Sequence, residues 1–336
     1  MDLENNATTF VTGGTSSIGR VLIKELSRKG ETLKVLVRKT SNREGLELPG
    51  VSFVFGDVTD AKAVAAGMQG CARVTHMAAV VGSDLPESEW WRVNRDGSRN
   101  VLQAACDLGI SSMVQVSSLS VLGDTQPGET ADETRPIDTT RHINLYQKTK
   151  FAADEIAREF ARRGLPVKIV YPGFGFGCSF ASSHPSLQDQ TLLRMAAGKP
   201  VVVMGSGKNK LFVAYYKDTV EGISLAHRNG KIGDGYILGN ENRTFPEIWE
   251  AIAGILGKKA PWARIPVPLL KAVSFLGAKL RGKPIFPQDF FDMIALNWCF
   301  SNHKAQEVLG WRPHSFKEAM AETWSDYQRQ GWILHK

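Results

Sequence analysis

The sequence has little of what marks metal, thiol or membrane-spanning proteins. Its four cysteines, Cys71, Cys106, Cys178 and Cys299, lie far apart and form no Cys-x-x-Cys pair, which argues against a zinc site or a thiol redox motif. Reduced cysteines in a cytoplasmic protein are the expectation, with no metal bound. No uninterrupted apolar stretch approaches the roughly 20 residues that span a bilayer. The acidic, polar start from Met1 to Thr9 is unlike a secretory signal. A basic arm is lacking too. The 41 Lys and Arg against 34 Asp and Glu give a charge of +7 with no finger, homeodomain or RNA-recognition signature, so nucleic acid is not an expected partner.

What is present is an ordinary globular composition, 43% hydrophobic and 22% charged, with 32 glycines for tight turns. The 336 residues suit a nucleotide-binding core with a smaller appended lobe. From Thr8 to Tyr171, short β-rich runs alternate with longer helical patterns. The strand candidates are Thr8–Thr12, Leu33–Val37, Val51–Phe55, Ala72–Met77, Ser112–Val116 and Val167–Tyr171. Right-handed crossovers then predict an α/β fold, a doubly wound parallel sheet of order 3-2-1-4-5-6 with room for an extra strand. Residues 1–172 form the expected dinucleotide-binding domain. Residues 173–336 form the expected substrate lobe, mostly helical, with segments at about 211–240 returning to the core. Six of the eight tryptophans fall in the last third, where most should pack the lobe's own core.

The segment Thr12-Gly13-Gly14-Thr15-Ser16-Ser17-Ile18-Gly19 joins the first strand to the first helix. A pyrophosphate there meets backbone N–H groups and the positive end of a helix dipole. Gly13 permits the tight turn, and Gly19 a close approach of helix and strand. The second strand ends in Arg38-Lys39, not in the acidic residue that would hold the ribose hydroxyls of NAD. A guanidinium there grips a 2′-phosphate, so NADP(H) is favoured, with NAD(H) second. A solvated basic strand end is the alternative. After the third strand, Gly56-Asp57-Val58 offers a carboxylate either to the adenine amino group or as a helix cap.

Tyr146-Gln147-Lys148-Thr149-Lys150 opens a helical pattern. Four-residue spacing puts Tyr146 and Lys150 on one face, where the ammonium can lower the phenol pKa and also reach the nicotinamide ribose. Ser117-Ser118-Leu119-Ser120 follows the fifth strand, at the sheet edge where ligands bind in this architecture, and a hydroxyl there can orient a substrate carbonyl. A surface helix pair and a serine-rich turn are the bland readings of each alone.

Together these residues resemble the extended branch of the short-chain dehydrogenase/reductase superfamily, near its 3β-hydroxysteroid dehydrogenase and dihydroflavonol-reductase-like members. The resemblance runs nearly the whole chain. It extends to His76-Met77-Ala78-Ala79, Val93-Asn94-Arg95-Asp96-Gly97, Tyr171-Pro172-Gly173-Phe174 and Leu309-Gly310-Trp311-Arg312-Pro313. It implies Ser118, Tyr146 and Lys150 as catalytic residues. Gly13, Ser16, Ser17, Ile18, Gly19, Arg38, Lys39, Asp57, Val58, Ala78, Ala79 and Pro172 would line the cofactor, together with Tyr146 and Lys150. The usual middle glycine of the loop is replaced in the region of Ser16 and Ser17. Sugar-nucleotide epimerases of this branch carry Arg where Tyr171 and Leu211 stand here.

Phe174, Phe176 and Phe180 gather past the sixth strand and, with Ser120, suggest a bulky apolar substrate, steroid-like, polycyclic or aryl-alkyl. The expected activity is hydride transfer on a carbonyl or secondary alcohol of such a compound. The alternatives are a nucleotide-sugar epimerase or dehydratase with bound NAD, and a non-catalytic NADP(H)-sensing scaffold. Pro266–Lys283 reads as a basic amphipathic helix. A buried cap helix is its first reading and peripheral contact with membrane lipid its second. A homodimer is left open.

Overall fold

Burial at all four positions of Thr9–Thr12 (β1) marks a strand covered on both faces, the signature of a parallel sheet between helical layers. The computed structural model describes residues 7–81, 85–179, 185–281 and 288–331. After β1 come Ser17–Arg28 (α1), Leu33–Val37 (β2), Val51–Phe55 (β3), Ala61–Met68 (α2) and Arg73–His76 (β4). Glu87–Trp90 (α3), Gly97–Asp107 (α4), Ser112–Val116 (β5), Leu145–Arg162 (α5) and Val167–Pro172 (β6) complete the first half. These six strands pair in the order 3-2-1-4-5-6, all parallel. The fold is the Rossmann type expected from the sequence.

The chain continues through Phe174–Phe176 (β7), Leu187–Ala196 (α6), Val203–Met204 (β8), Lys210–Tyr215 (β9), Tyr216–Asn229 (α7) and Gly235–Leu238 (β10). The last of these is the seventh strand, parallel to β6 at the sheet edge. Glu241–Thr244 (β11), Phe245–Leu256 (α8), Arg264–Ile265 (β12), Val267–Arg281 (α9), Gln288–Ala295 (α10) and Phe316–Arg329 (α11) follow. Strand β9 lies between β11 and β7 in a small second sheet, and β12 pairs with β8.

Alternation along each strand divides the core. Val11, Val35, Val114 and Val170 point to the side of α1 and α7, whereas Phe10, Leu36, Met113 and Ile169 join the cluster of α2, α4 and α5. That second cluster runs on into the C-terminal half through Trp249 and Trp298.

Trp249, Trp298 and Trp311 are buried, as expected of most tryptophans in this half, whereas Trp262 is 89% exposed. One expectation for this half is corrected. The segment 266–283 is not a buried cap helix. Its helix, α9, turns Val267, Leu270 and Ser274 inward, while Leu269, Val273, Phe275 and Leu276 stay largely exposed. Both long faces are apolar, and among the described residues only one is covered; Lys283 lies outside them.

Candidate active site

The carboxyl ends of β1, β2, β3 and β4 open onto a cavity of about 440 Å³. Gly13, Ser16, Arg38, Asp57, Val58, Ala78 and Ala79 all line it. Gly13 has a φ of +74°, and a Cβ there would stand 2.6 Å from Ala78 N. At Gly19 a Cβ would meet Gly13 O at 2.3 Å. Only glycine lets the loop fold this tightly against both the helix start and the strand beside it. The Ser16 hydroxyl caps α1 by accepting from Gly19 N at 3.1 Å, so the residue that replaces the usual glycine strengthens the helix end. This cradle, with a helix N-terminus at one end and a guanidinium at the other, fits a dinucleotide phosphate chain.

Sequence reasoning missed Ser41, which also lines the cavity and whose hydroxyl accepts from Arg38 N at 3.1 Å. Lys39 is exposed beside Arg38 but is not part of the cavity wall. Asp57 does not cap α2; Asp60 does, accepting from Lys62 N and Ala63 N, while Asp57 Oδ1 holds the Thr59 hydroxyl at 2.8 Å. Arg92 donates to that same hydroxyl at 2.6 Å and to the Glu89 carboxylate, closing the far rim.

Ser118, Tyr146 and Lys150 converge beyond the end of β5. Ser118 begins a short turn, with its Oγ accepting from Ser120 N and 2.9 Å from Ser120 Oγ. The Ser118 hydroxyl is near enough to the Tyr146 phenol to pull its pKa down. Gln147, whose role the sequence did not reveal, donates to Ser120 O at 2.8 Å and accepts from Ile143 N, so it ties the serine turn to the first turn of α5. Asn144 caps that helix. Lys150 is buried and donates to Val116 O at 2.7 Å.

The electrostatics differ from the simple expectation that Lys150 lowers the phenol. Burial pushes the Tyr146 phenol up, the Ser118 hydroxyl pulls it down, and the charge of Asp154 raises it again. The phenol therefore holds its proton. Lys150 is lowered by burial to about 8, with Asp154 raising it. Asp154, one turn beyond Lys150 and 1% exposed, was not singled out from the sequence. Neither of its oxygens has a partner of good hydrogen-bond geometry. Burial pushes its carboxyl up to about 6, against the pull of Ser117, Lys150, Arg158 and Tyr171.

The residues expected to touch substrate separate. Phe174 is half-buried against Trp298, ring centroids 5.7 Å apart. Phe176 is a correction: it is fully buried, stacked on Tyr215 and packed on Phe316, and belongs to the core. Phe180 lies outside the described residues. Ser120 is buried with its hydroxyl on Ser118. Tyr171 is buried too, its hydroxyl accepting from Arg158 at 2.8 Å, so its identity says nothing about the substrate. Pro172 closes β6.

A nucleotide cradle on a Rossmann sheet, with Ser, Tyr and Lys at the neighbouring strand end, defines an NAD(P)-dependent enzyme of the short-chain type acting on CH–OH groups. The chain belongs to the NAD dependent epimerase/dehydratase family, whose model matches residues 9–239. It is similar to a Synechocystis protein provisionally named a dihydroflavonol 4-reductase, 30% identical over 96% of this chain and 95% of that one. A 3-beta-hydroxysteroid dehydrogenase of Mycolicibacterium neoaurum is 27% identical over 93% and 89%. A Stigmatella aurantiaca enzyme named as a 4-hydroxy-2-methyl-3-oxo-4-farnesyl-3,4-dihydroquinoline-1-oxide ketoreductase is 29% identical over 81% and 80%. Among solved structures, that of gox2253 superposes with a TM-score of 0.81 at 28% identity, covering 98% of this chain and all of that one.

Proposed function

We propose that this enzyme is an NADP(H)-dependent reductase or dehydrogenase for a carbonyl or secondary alcohol on an apolar compound of steroid-like, polycyclic or aryl-alkyl type. The observation that carries the reading is the convergence of Ser118, Tyr146 and the buried Lys150 beyond the end of β5, in a site where burial keeps the phenol protonated. A protonated phenol is a ready acid for a carbonyl oxygen that gains charge. Ser118 orients that oxygen, and the buried Lys150 ammonium supplies positive charge along the same helix face. The nicotinamide, when bound, supplies or takes the hydride. Gly13 and Ser16 would hold its pyrophosphate, Asp57 and Val58 its adenine end, and Lys150 its ribose.

Arg38 and Ser41 at one cavity wall support the choice of NADP(H), because a guanidinium with a hydroxyl three residues on can share a 2′-phosphate. Arg38→Ala is expected to lose roughly 1–3 kcal/mol of NADPH affinity with little change for NADH. Calorimetric titration with the two cofactors reads this directly, and equal affinity of the parent for both would sink the assignment.

An apolar substrate is supported by the Phe174–Trp298 ring pair past β6 and by the names of the steroid and farnesyl-quinoline relatives. Leu211, at the position where epimerases carry Arg, is buried among core residues and offers no charge to a diphosphate. Titration of the NADP-loaded enzyme with polycyclic or sterol ketones should give binding and cofactor turnover, and UDP-sugars should give neither. Micromolar binding confined to the UDP-sugars would establish the epimerase reading in its place.

A further inference from the structure

Residues 251–288 hold seven basic side chains, Lys258, Lys259, Arg264, Lys271, Lys279, Arg281 and Lys283, and no Asp or Glu. Seven is the whole excess of 41 over 34, so the remainder of the chain is balanced at 34 of each sign. The same segment supplies Trp262, Leu269, Val273, Phe275 and Leu276, five of the large apolar side chains most exposed to solvent. Leu269, Val273 and Leu276 are spaced by four and three residues and form one stripe along α9. Val267, Leu270 and Ser274 form another, turned to the protein. A helix apolar on both sides is stable at a surface only if something covers the outer side.

We infer that α9 and the loop before it form a docking surface for an anionic lipid bilayer. Exposed Trp262 and the α9 stripe would enter the headgroup region, while exposed Lys259 and Arg264 face the lipid phosphates; the Lys258 ammonium is held by Met195 O and Ala196 O at the end of α6. A second copy of the chain is the poorer occupant. A two-fold contact through this face would set the exposed Lys259 and Arg264 against their own copies, in a segment that holds no carboxylate between Glu250 and Asp289. The attachment is peripheral in character, because no helix among the described residues is long and apolar enough to cross a membrane. It is also linked through side-chain contacts to Phe174, a candidate substrate residue. Helix α9 packs on α10, Met293 O of α10 accepts from the Trp298 indole, and Trp298 packs on Phe174.

Flotation of the whole enzyme with vesicles tests this, read without turnover and so independent of the substrate assignment. Vesicles of phosphatidylcholine with about one quarter phosphatidylserine should carry at least about tenfold more protein than phosphatidylcholine alone. High salt should reduce the difference. The double variant Leu269→Glu/Leu276→Glu should stay in solution with its thermal midpoint and NADPH affinity unchanged. Lys259→Glu/Arg264→Glu, in the loop, gives the same reading if the helix variant fails to fold. Equal binding to both vesicles, or binding to neither, would overturn the proposal. So would a concentration-dependent dimer that Leu269→Glu dissolves, or binding to polyglutamate with none to phosphatidylserine.

Discussion

A Tyr146→Phe enzyme should bind NADPH as the parent does and turn over its substrate about 10²–10⁴ times more slowly, the range for losing a positioned general acid. The ring stays, so the first turn of α5 keeps its packing and its Asn144 cap. Only the phenol hydroxyl beside Ser118 goes. Ser118 retains its contact with Ser120 and remains able to hydrogen-bond a substrate oxygen, which leaves substrate affinity largely in place. The loss should therefore fall on kcat and not on KM. Single-turnover measurement with NADPH in excess checks this. Full activity in the phenylalanine variant would remove Tyr146 from the mechanism and leave the proton to another group.

Much of the fold could be read because a parallel sheet writes each strand as a short apolar run. Three of the six strands, Leu33–Val37, Val51–Phe55 and Ser112–Val116, have the boundaries read from the sequence, and the others differ by one residue at one or both ends. The catalytic set was equally legible, since Tyr146 and Lys150 share a helix face and Ser118 follows a strand. What the sequence could not give was which distant side chains close each neighbourhood. Phe174 and Phe176 sit two apart on one strand and look alike, yet Phe176 is sealed by Tyr215 and Phe316 from far along the chain. Helix α9 showed its apolar residues plainly. Which stripe faced the protein depended on packing against α10, which no periodicity reports.

Asp154 was hidden by its own regularity. Tyr146, Lys150, Asp154 and Arg158 recur every four residues, and an acid four places after a lysine on a helix ordinarily reads as a solvated ion pair. Here both groups are buried, and Lys150 reaches Val116 O in preference to the carboxylate. The groups facing Asp154 are Lys150 and Arg158 on its own helix, Ser117 at the end of β5 and Tyr171 on β6. That arrangement lets one buried charge sustain another at a distance.

Replacing it, as Asp154→Asn, should move the alkaline limb of kcat/KM to lower pH. In the parent, Lys150 loses its proton near 8 and Tyr146 lies above its ordinary 10, so a limb near 8 belongs to Lys150. Asp154 is the charge that raises Lys150 against burial, and without it the ammonium should weaken by about 1–3 pH units, the range for an opposite charge nearby. At pH 8 the variant should then be slower by about fivefold or more, and recover as the pH falls. Stability supplies an independent reading. The Asp154 pKa is raised from 3.8 to about 6, so its contribution is present at low pH and lost as the pH rises through 6. Lys150, lowered from 10.5 to about 8, contributes above 10.5 and loses that contribution as the pH falls through 8. Between about 6 and 8 both are charged, and the pair burdens the fold most where catalysis needs the ammonium. Asp154→Asn should abolish the parent's loss of thermal midpoint between about pH 4 and 6. An unchanged pH–rate profile in a variant that merely melts earlier would reduce Asp154 to a packing residue.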